Sequence, residues 1–323
     1  MGTGALARPG RAKLDKILFF NSRADSWGRL SLRVSLLMQI FLTILDMWAA
    51  SRAVRHGGKR LGLVPTMGAL HEGHLSLIRA AKSQSDSVAA SIFVNPLQFG
   101  PNEDLAKYPR SFDCDRELLE REGVELLFAP SVEEMYPAGA VTWVTVESLS
   151  DKLDGRSRPG HFRGVTTVVA KLFHVVEPDA AFFGQKDATQ VAIIRRMVRD
   201  LNLPVEIVVC PIVREPDGLA MSSRNTYLDP KQRKRALVLH RSLMRIQKQA
   251  EAGELETAKL VATGREEFAQ DTSVRLDYLE IVHPDTLDPV KDISGGALAA
   301  VAAIVGNTRL IDNLLLPGKS RSQ

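Results

Sequence analysis

Short, mainly apolar runs without polar alternation recur along the first two thirds of the chain, and they restrict its fold more than any other feature. They cover residues 61–64, 87–94, 178–183 and 205–210, and segments with helical periodicity separate them. A strand without alternation is covered on both faces, as in a parallel sheet. Strands that alternate with helices form a doubly wound sheet. The sequence therefore predicts an α/β fold, in which residues 125–128 and 141–146 continue the alternation.

The pattern changes beyond residue 210. Asp229 and Pro230 are typical of an N-cap and a first helical position, and a second helix is expected over residues 255–269. Three short strands separated by turns then follow as a meander, over residues 275–282, 296–305 and 308–316. We therefore predict two domains, a doubly wound domain over residues 38–210 and a smaller α+β C-terminal domain over residues 211–323.

Charge and cysteine content narrow the class of protein. The chain has 323 residues, with 42 basic and 38 acidic side chains and a formal charge of +4. This balance does not indicate a nucleic-acid or membrane partner, and an anionic small ligand fits it equally well. The only cysteines, Cys114 and Cys210, are far apart, which favours a reducing compartment over a disulfide scaffold.

Residues 1–37 differ from the rest in being strongly basic. They fit a targeting segment, a disordered tail or translation from an upstream start codon equally well. The apolar stretch over residues 34–45 is shorter than the ~20 residues that span a bilayer, so we expect a strand and a turn. Asp46 is the expected cap of the helix that follows.

Residues 61–82 have the pattern of a strand, a glycine-containing loop and a helix. His71 and His74 fall where the helix begins, beside unpaired backbone N–H groups and the positive end of the helix dipole. Gly68 and Gly73 lack a Cβ and let a polyphosphate approach the backbone. A pair of surface histidines explains the spacing about as well. Zinc is disfavoured, because no further ligands lie nearby at metal-binding spacing.

Polar side chains also follow other predicted strands. Asn95 and Gln98 follow the strand over residues 87–94, and Lys186 follows the strand over residues 178–183. The carboxyl ends of parallel strands are where open α/β sheets bind ligands. Residues 156–164 contain three arginines and a histidine, and they fit an anion site or an ordinary solvated loop equally well. Residues 213–225 offer two hydroxyls and a cation, and they fit either a movable, lid-like segment or an ordinary turn with a cap. The basic residues between 231 and 245 are interpreted as a solvated helix face rather than as an RNA-binding surface.

Five segments stand out in order along the chain. They are PTMGALHEGH (65–74), FVNPLQF (93–99), RPGHFRG (158–164), GQKD (184–187) and MSSRN (221–225). Together they resemble the pantoate–β-alanine ligase family. The first contains a counterpart of the HIGH signature of the nucleotidyltransferase superfamily, and the last a KMSKS counterpart without the usual lysines. The resemblance runs from about residue 38 to the C-terminus. We therefore expect residues 1–37 to be dispensable, with ligase activity retained by a chain that starts at Met38.

The resemblance implies a Rossmann-like nucleotide- and pantoate-binding domain with a C-terminal lid, in a cytoplasmic homodimer. It implies formation of pantoyl adenylate from pantoate and ATP with Mg²⁺, release of pyrophosphate, and attack by β-alanine to give pantothenate and AMP. The metal ligands stay unassigned. By matching positions, the ATP contacts are Met67, Gly68, Ala69, Leu70, His71, Glu72, Gly73, His74, Gly184, Gln185, Lys186, Asp187, Val213, Met221, Ser222, Ser223 and Arg224, and the substrate contacts are Asn95, Gln98 and Gln190.

The residue types suit this chemistry. A carboxylate with a pKa near ~4 is already ionised at neutral pH, so the first step needs no general base. It needs stabilisation of the negative charge that spreads over the α-phosphate and the leaving pyrophosphate. We assign this role to His71, His74, Lys186 and Arg224, and the resemblance also implies that His74 is a proton donor. The acceptor for the proton of β-alanine stays unassigned.

Overall fold

The computed structural model describes residues 38–318, except residues 102 and 104, so the predicted extension over residues 1–37 lies outside the described residues. Six parallel strands form the main sheet in the order β1-β4-β3-β2-β5-β6. They are β1 (Gln39–Phe41), β2 (Leu61–Thr66), β3 (Ser87–Ile92), β4 (Leu126–Phe128), β5 (Ala180–Gly184) and β6 (Glu206–Cys210). The predicted doubly wound parallel sheet is confirmed.

Helices cover both faces of this sheet. They are α1 (Ile44–His56), α2 (Glu72–Gln84), α3 (Phe112–Glu122), α4 (Val132–Met135), α5 (Asp154–Ser157), α6 (His161–Val176) and α7 (Ala188–Asp200). Successive strand residues point to opposite faces, so Leu63 joins the core under α6 while its neighbour Val64 joins the core under α2. Burial on both faces explains why these strands lack polar alternation.

The C-terminal part contains α8 (Pro230–Glu251), α9 (Thr257–Ala269) and an antiparallel sheet of β7 (Val274–Val282), β8 (Ala297–Val305) and β9 (Thr308–Leu316). The predicted meander is confirmed. One face of this sheet packs on α8 and α9. The other face contributes Tyr278, Leu298 and Ala300 to the core beneath α6 and α7. The C-terminal part therefore has a core of its own and also contributes side chains to the core of the parallel sheet.

Two local expectations are wrong. Thr43 caps α1 by accepting the backbone N–H of Asp46, because the helix begins at Ile44 and places Asp46 in its first turn. Residues 141–146 form no regular element. The backbone of Val144 bonds to the side chains of α6 rather than to a strand, which leaves Val141 83% exposed.

Basic residues of α8 are engaged in ion pairs. Arg233 pairs with Glu215 and Asp217, and Arg245 pairs with Glu266 and Glu267. These contacts match a solvated helix face. Among the residues with a described structure, no helix combines the length and the apolar character needed to cross a bilayer.

Candidate active site

The strand order places the candidate site. The chain runs outward from β2 through β3 to β4, and in the opposite direction from β5 to β6. The order therefore reverses between β2 and β5, which is the topological switch point where open α/β sheets bind ligands. The loop that ends at His71 follows β2 and leads into the first turn of α2, which contains His74, and the turn with Lys186 follows β5. Two motifs more than one hundred residues apart thus meet at one edge of the sheet.

A buried carboxylate fixes the loop after β2. Asp115 on α3 is 2% exposed and accepts the backbone N–H groups of Ala69 and Leu70, each at 2.8 Å. Gly68 and Ala69 have φ angles of 82° and 51°, in the left-handed region that favours glycine. The Asp115 hydrogen bonds therefore hold a strained turn, and sequence reasoning missed this residue as a part of the loop.

The two histidines have defined tautomers. The backbone N–H of Gly73 donates to Nδ1 of His71 at 3.2 Å, and the backbone N–H of His71 donates to Nδ1 of His74 at 3.3 Å. Each Nδ1 is therefore an acceptor, so a neutral ring has its proton on Nε2. The ring centroids lie 4.1 Å apart. Both rings line the same cavity, so the pair offers it two Nε2–H donors.

Both imidazoles are neutral at physiological pH. Burial, the neighbouring His71 ring and the Lys186 ammonium together lower the pKa of His74 to about 3. Burial, followed by the charge of Lys186, also lowers the pKa of His71. In each case the charged form loses hydration and faces a like charge. The site therefore combines neutral hydrogen-bond donors with the permanent charges of lysine and arginine.

One cavity of about 230 Å³ lies over this edge, and a larger cleft of about 950 Å³ adjoins it. His74, Lys186 and Arg224 all line the cavity, and Arg224 and Lys186 also line the cleft. The other residues of the expected site that line the cavity are Met67, His71, Gly73, Asn95, Gln98, Gly184, Asp187, Gln190, Val213, Met221, Ser222 and Ser223.

Five of the expected ATP contacts do not line this cavity, namely Gly68, Ala69, Leu70, Glu72 and Gln185. The amides of Ala69 and Leu70 already bind Asp115. Glu72 is exposed and pairs with Arg79. The Gln185 amide donates to Asn313 on β9 at 3.0 Å. These residues shape or flank the loops around the cavity.

Asn95 and Gln98 form a connected pair at the end of β3. Asn95 is 1% exposed and donates to Oε1 of Gln98 at 3.0 Å and to the carbonyl of Gly164 at 3.1 Å. It also accepts the hydroxyl of Tyr136 at 2.9 Å. Its polar atoms are therefore occupied, whereas Nε2 of Gln98 faces only the weak acceptor Sδ of Met67. Asn95 orients Gln98, and Gln98 presents N–H donors to the cavity.

Arg158 and His161, in the loop left open between an anion site and a solvated loop, also line the cavity. Nδ1 of His161 lies 2.7 Å from the carbonyl of Gln98, and Nε2 lies 3.0 Å from Nη1 of Arg158. Burial and the Arg158 charge lower the pKa of His161 to about 4. Arg158 pairs in turn with Glu103 at 2.6 Å. The other two arginines of this loop lie elsewhere, Arg156 against Glu280 and Arg163 over Trp143.

The residues present do not form a cage for a metal. Among the residues that the structure describes, no group of three or more histidine, cysteine or acidic side chains is placed to bind an ion. The buried carboxylate of Asp115 accepts two backbone amides and the hydroxyl of Ser111, so its oxygens are already occupied.

This fold and cavity define a nucleotide-binding α/β enzyme with imidazole, lysine and arginine side chains in the cavity wall. The family model described as Pantoate-beta-alanine ligase matches residues 39–315, so the chain belongs to that family. It is a ligase that forms pantothenate from pantoate and β-alanine.

Individual relatives agree with this membership. The pantothenate synthetase of Koribacter versatilis is 61% identical over 279 residues, which cover 86% of this chain and 96% of the relative. A crystal structure of pantothenate synthetase from Thermus thermophilus is 50% identical, with a TM-score of 0.81, and covers 86% of this chain and 99% of that one. The pantoate-beta-alanine ligase of Francisella tularensis, solved with beta-gamma ATP and beta-alanine, is 34% identical, with a TM-score of 0.69 over 86% and 97% of the two chains.

Proposed function

We propose that the cavity binds the triphosphate of ATP beside pantoate and catalyses formation of pantoyl adenylate. The observation that carries this proposal is the presence of His74, Lys186 and Arg224 in one cavity with Gln98 and Gln190. Cations and N–H donors surround the place where a phosphate would lie, and neutral amides flank it. Neutral amides both donate and accept hydrogen bonds, as a substrate with hydroxyl groups requires.

In the first step, the carboxylate of pantoate attacks the α-phosphorus and pyrophosphate leaves. Lys186 neutralises charge that develops on the phosphate oxygens, and the Nε2–H groups of His71 and His74 donate to those oxygens. Because His74 is neutral at pH 7, we propose that it donates a hydrogen bond and transfers no proton. This differs from the proton-donor role that the family resemblance implies.

Mg²⁺ is proposed to enter as part of the nucleotide substrate. Magnesium keeps several water ligands and binds through phosphates with few protein ligands, which suits a site whose described residues offer no ligand cluster. In the second step, the amine of β-alanine attacks the acyl carbon and AMP leaves. For this step Gln98 and Gln190 hold the pantoyl group in place.

We also propose a division near residue 210, a homodimer and a cytoplasmic location. The loop over residues 213–225 begins the C-terminal part and supplies Val213, Met221 and Ser222 to the cavity wall. Residues 141–146 support the dimer, since they lie outside the described strands and carry two exposed apolar side chains, Val141 and Trp143, which are 83% and 42% exposed. Light scattering should give twice the chain mass, and Trp143→Asp should shift the measured mass toward that of the monomer.

The cysteines support the proposed cytoplasmic location. Cys114 and Cys210 are free thiols, as in a reducing compartment.

Pyrophosphate release with each substrate omitted in turn tests the proposed reaction. Release should require ATP and pantoate but not β-alanine in a single turnover, and AMP with pantothenate should appear only when β-alanine is added. Pantoate-independent release would refute the adenylate route. Adenylation of pantoate with transfer to another amine in preference to β-alanine would favour a related adenylyltransferase.

A further inference from the structure

Two adjacent residues of β9, Asp312 and Asn313, contact both halves of the candidate phosphate site, although neither belongs to the motifs that predicted it. Each is 3% exposed. β9 is an edge strand of the C-terminal sheet and pairs with β8. Because neighbouring residues of a strand point to opposite faces, the two side chains reach different loops from one rigid element.

Asn313 binds the turn that contains Lys186. Its Nδ2 donates to the carbonyls of Gln185 and Lys186, both at 2.9 Å, and its Oδ1 accepts Nε2 of Gln185 at 3.0 Å. Both hydrogens of the Asn313 amide are therefore used on the backbone of one three-residue turn. This turn sets the direction in which the Lys186 side chain leaves the backbone.

Asp312 binds the loop that leads to Ser222 and Arg224. Its carboxylate accepts Nη1 and Nη2 of Arg214 at 2.7 and 3.0 Å, in a bidentate pair. Arg214 also donates to the carbonyl of Gly218 at 3.1 Å and pairs with Ala220 through a backbone bridge. The Arg214 guanidinium thus closes the hairpin whose second arm continues into Ser222.

We propose that Asp312 and Asn313 are positioning residues, which hold the Lys186 turn and the Met221–Arg224 loop at a fixed separation around the nucleotide. This inference rests on the proposed adenylation step. Neither side chain lines the smaller cavity. Asp312 lines the adjoining cleft, but both of its carboxylate oxygens accept from Arg214, so both residues act through the groups that they hold. A displacement of about 1 Å in a group that stabilises transition-state charge lowers the rate by up to about 10²-fold.

The test compares Asn313→Ala and Arg214→Lys with the control Lys152→Ala. Lys152 also joins the two parts of the chain, through Thr286 and Asp288, but contacts neither loop. Asn313→Ala should lower the single-turnover rate of pantoate-dependent pyrophosphate release at least about tenfold, with the KM for β-alanine unchanged. Arg214→Lys keeps the charge but loses the bidentate geometry, and should give a smaller fall of the same kind. Lys152→Ala should stay within about twofold of the wild type.

Thermal unfolding of each variant separates positioning from folding. Rates are measured at a temperature where circular dichroism shows each variant to be folded. If Asn313→Ala does not fold, the single-turnover rate of Arg214→Lys alone tests the positioning role. Equal rates for the folded test and control variants would overturn the positioning role. Failure of the wild type to release pyrophosphate with pantoate would instead overturn the proposed adenylation step.

Discussion

Replacement of His74 by alanine tests the chemistry of the site most sharply. The structure gives His74 one defined contribution, an Nε2–H donor that is neutral because burial and nearby charge lower the pKa of the ring to about 3. Removal of one oriented donor to a developing oxyanion costs about 3 kcal/mol of transition-state stabilisation, a factor of about 10² to 10³ in rate. We therefore expect His74→Ala to lower the adenylation rate by that factor, with ATP affinity within about threefold of the wild type.

The pH dependence separates a hydrogen-bond donor from a proton donor. A histidine that supplies a proton from its cationic form loses activity as pH rises through its pKa. A neutral donor with a pKa of about 3 keeps its role across the whole range from pH 6 to 8. The assay is stopped-flow pyrophosphate release at saturating ATP and pantoate, with His174→Ala as the control. His174 is exposed on α6 and bonds only to the carbonyl of Ala170.

Two results would refute this reasoning. An adenylation rate in His74→Ala within threefold of the wild type would show that His74 does not contribute to the reaction. A wild-type rate that falls tenfold per pH unit above pH 6.5, with the fall absent from His74→Ala, would show instead that the protonated ring is the active form.

Three further predictions concern other residues. Lys186→Ala should weaken ATP binding and slow adenylation together, because the ammonium faces phosphate in both the ground and the transition state. Titration with a non-hydrolysable ATP analogue measures the binding, and the single-turnover rate measures adenylation. Unchanged ATP binding would contradict the role. Gln98→Ala should chiefly raise the KM for pantoate, since Gln98 lines the cavity and its Nε2 contacts the weak acceptor Sδ of Met67. An unchanged KM would show that Gln98 does not hold pantoate. His74 and His161 have pKa values lowered to about 3 and about 4, so the unfolded chain binds more protons as pH falls below about 6.5. The free energy of unfolding should therefore be unaffected above pH 7 and decrease as the pH falls toward 4. At pH 5.5 the loss should be up to about 1.4 kcal/mol per histidine. Urea unfolding at pH 7.5 and 5.5 measures this loss, which should be smaller by about 1.4 kcal/mol in His161→Asn. An equal loss in that variant would contradict the assignment.

The sequence predicted those parts of the fold whose cause is local. Burial on both faces removes alternation from β2 and β3, so these strands were recognisable from their apolar runs. Asp229 caps α8 through its own neighbours, accepting the N–H groups of Lys231 and Gln232. Residues 141–146 misled because their apolar residues do not form a strand. Val144 and Val146 pack against the core, whereas Val141 is exposed.

The sequence did not predict contacts between distant segments. Asp115 lies 46 residues from Ala69, and Asn313 lies 127 residues from Lys186. A buried carboxylate or amide has no periodic pattern that reveals which backbone groups it will bind. His161 was noticed only as part of a charged loop, and its place beside Gln98 depends on how α6 packs against the end of β3. The motif residues were therefore predictable, whereas the residues that hold them in place were not.

A crystal structure of the enzyme with a non-reactive analogue of pantoyl adenylate tests the central claim most directly. The account predicts that the phosphate of the analogue lies within about 3 Å of Nε2 of His74 and Nζ of Lys186, with the pantoyl group against Gln98 and Gln190. A phosphate bound elsewhere, for example at the basic surface formed by Arg52, Arg55 and Lys59, with the switch-point cavity empty, would contradict it.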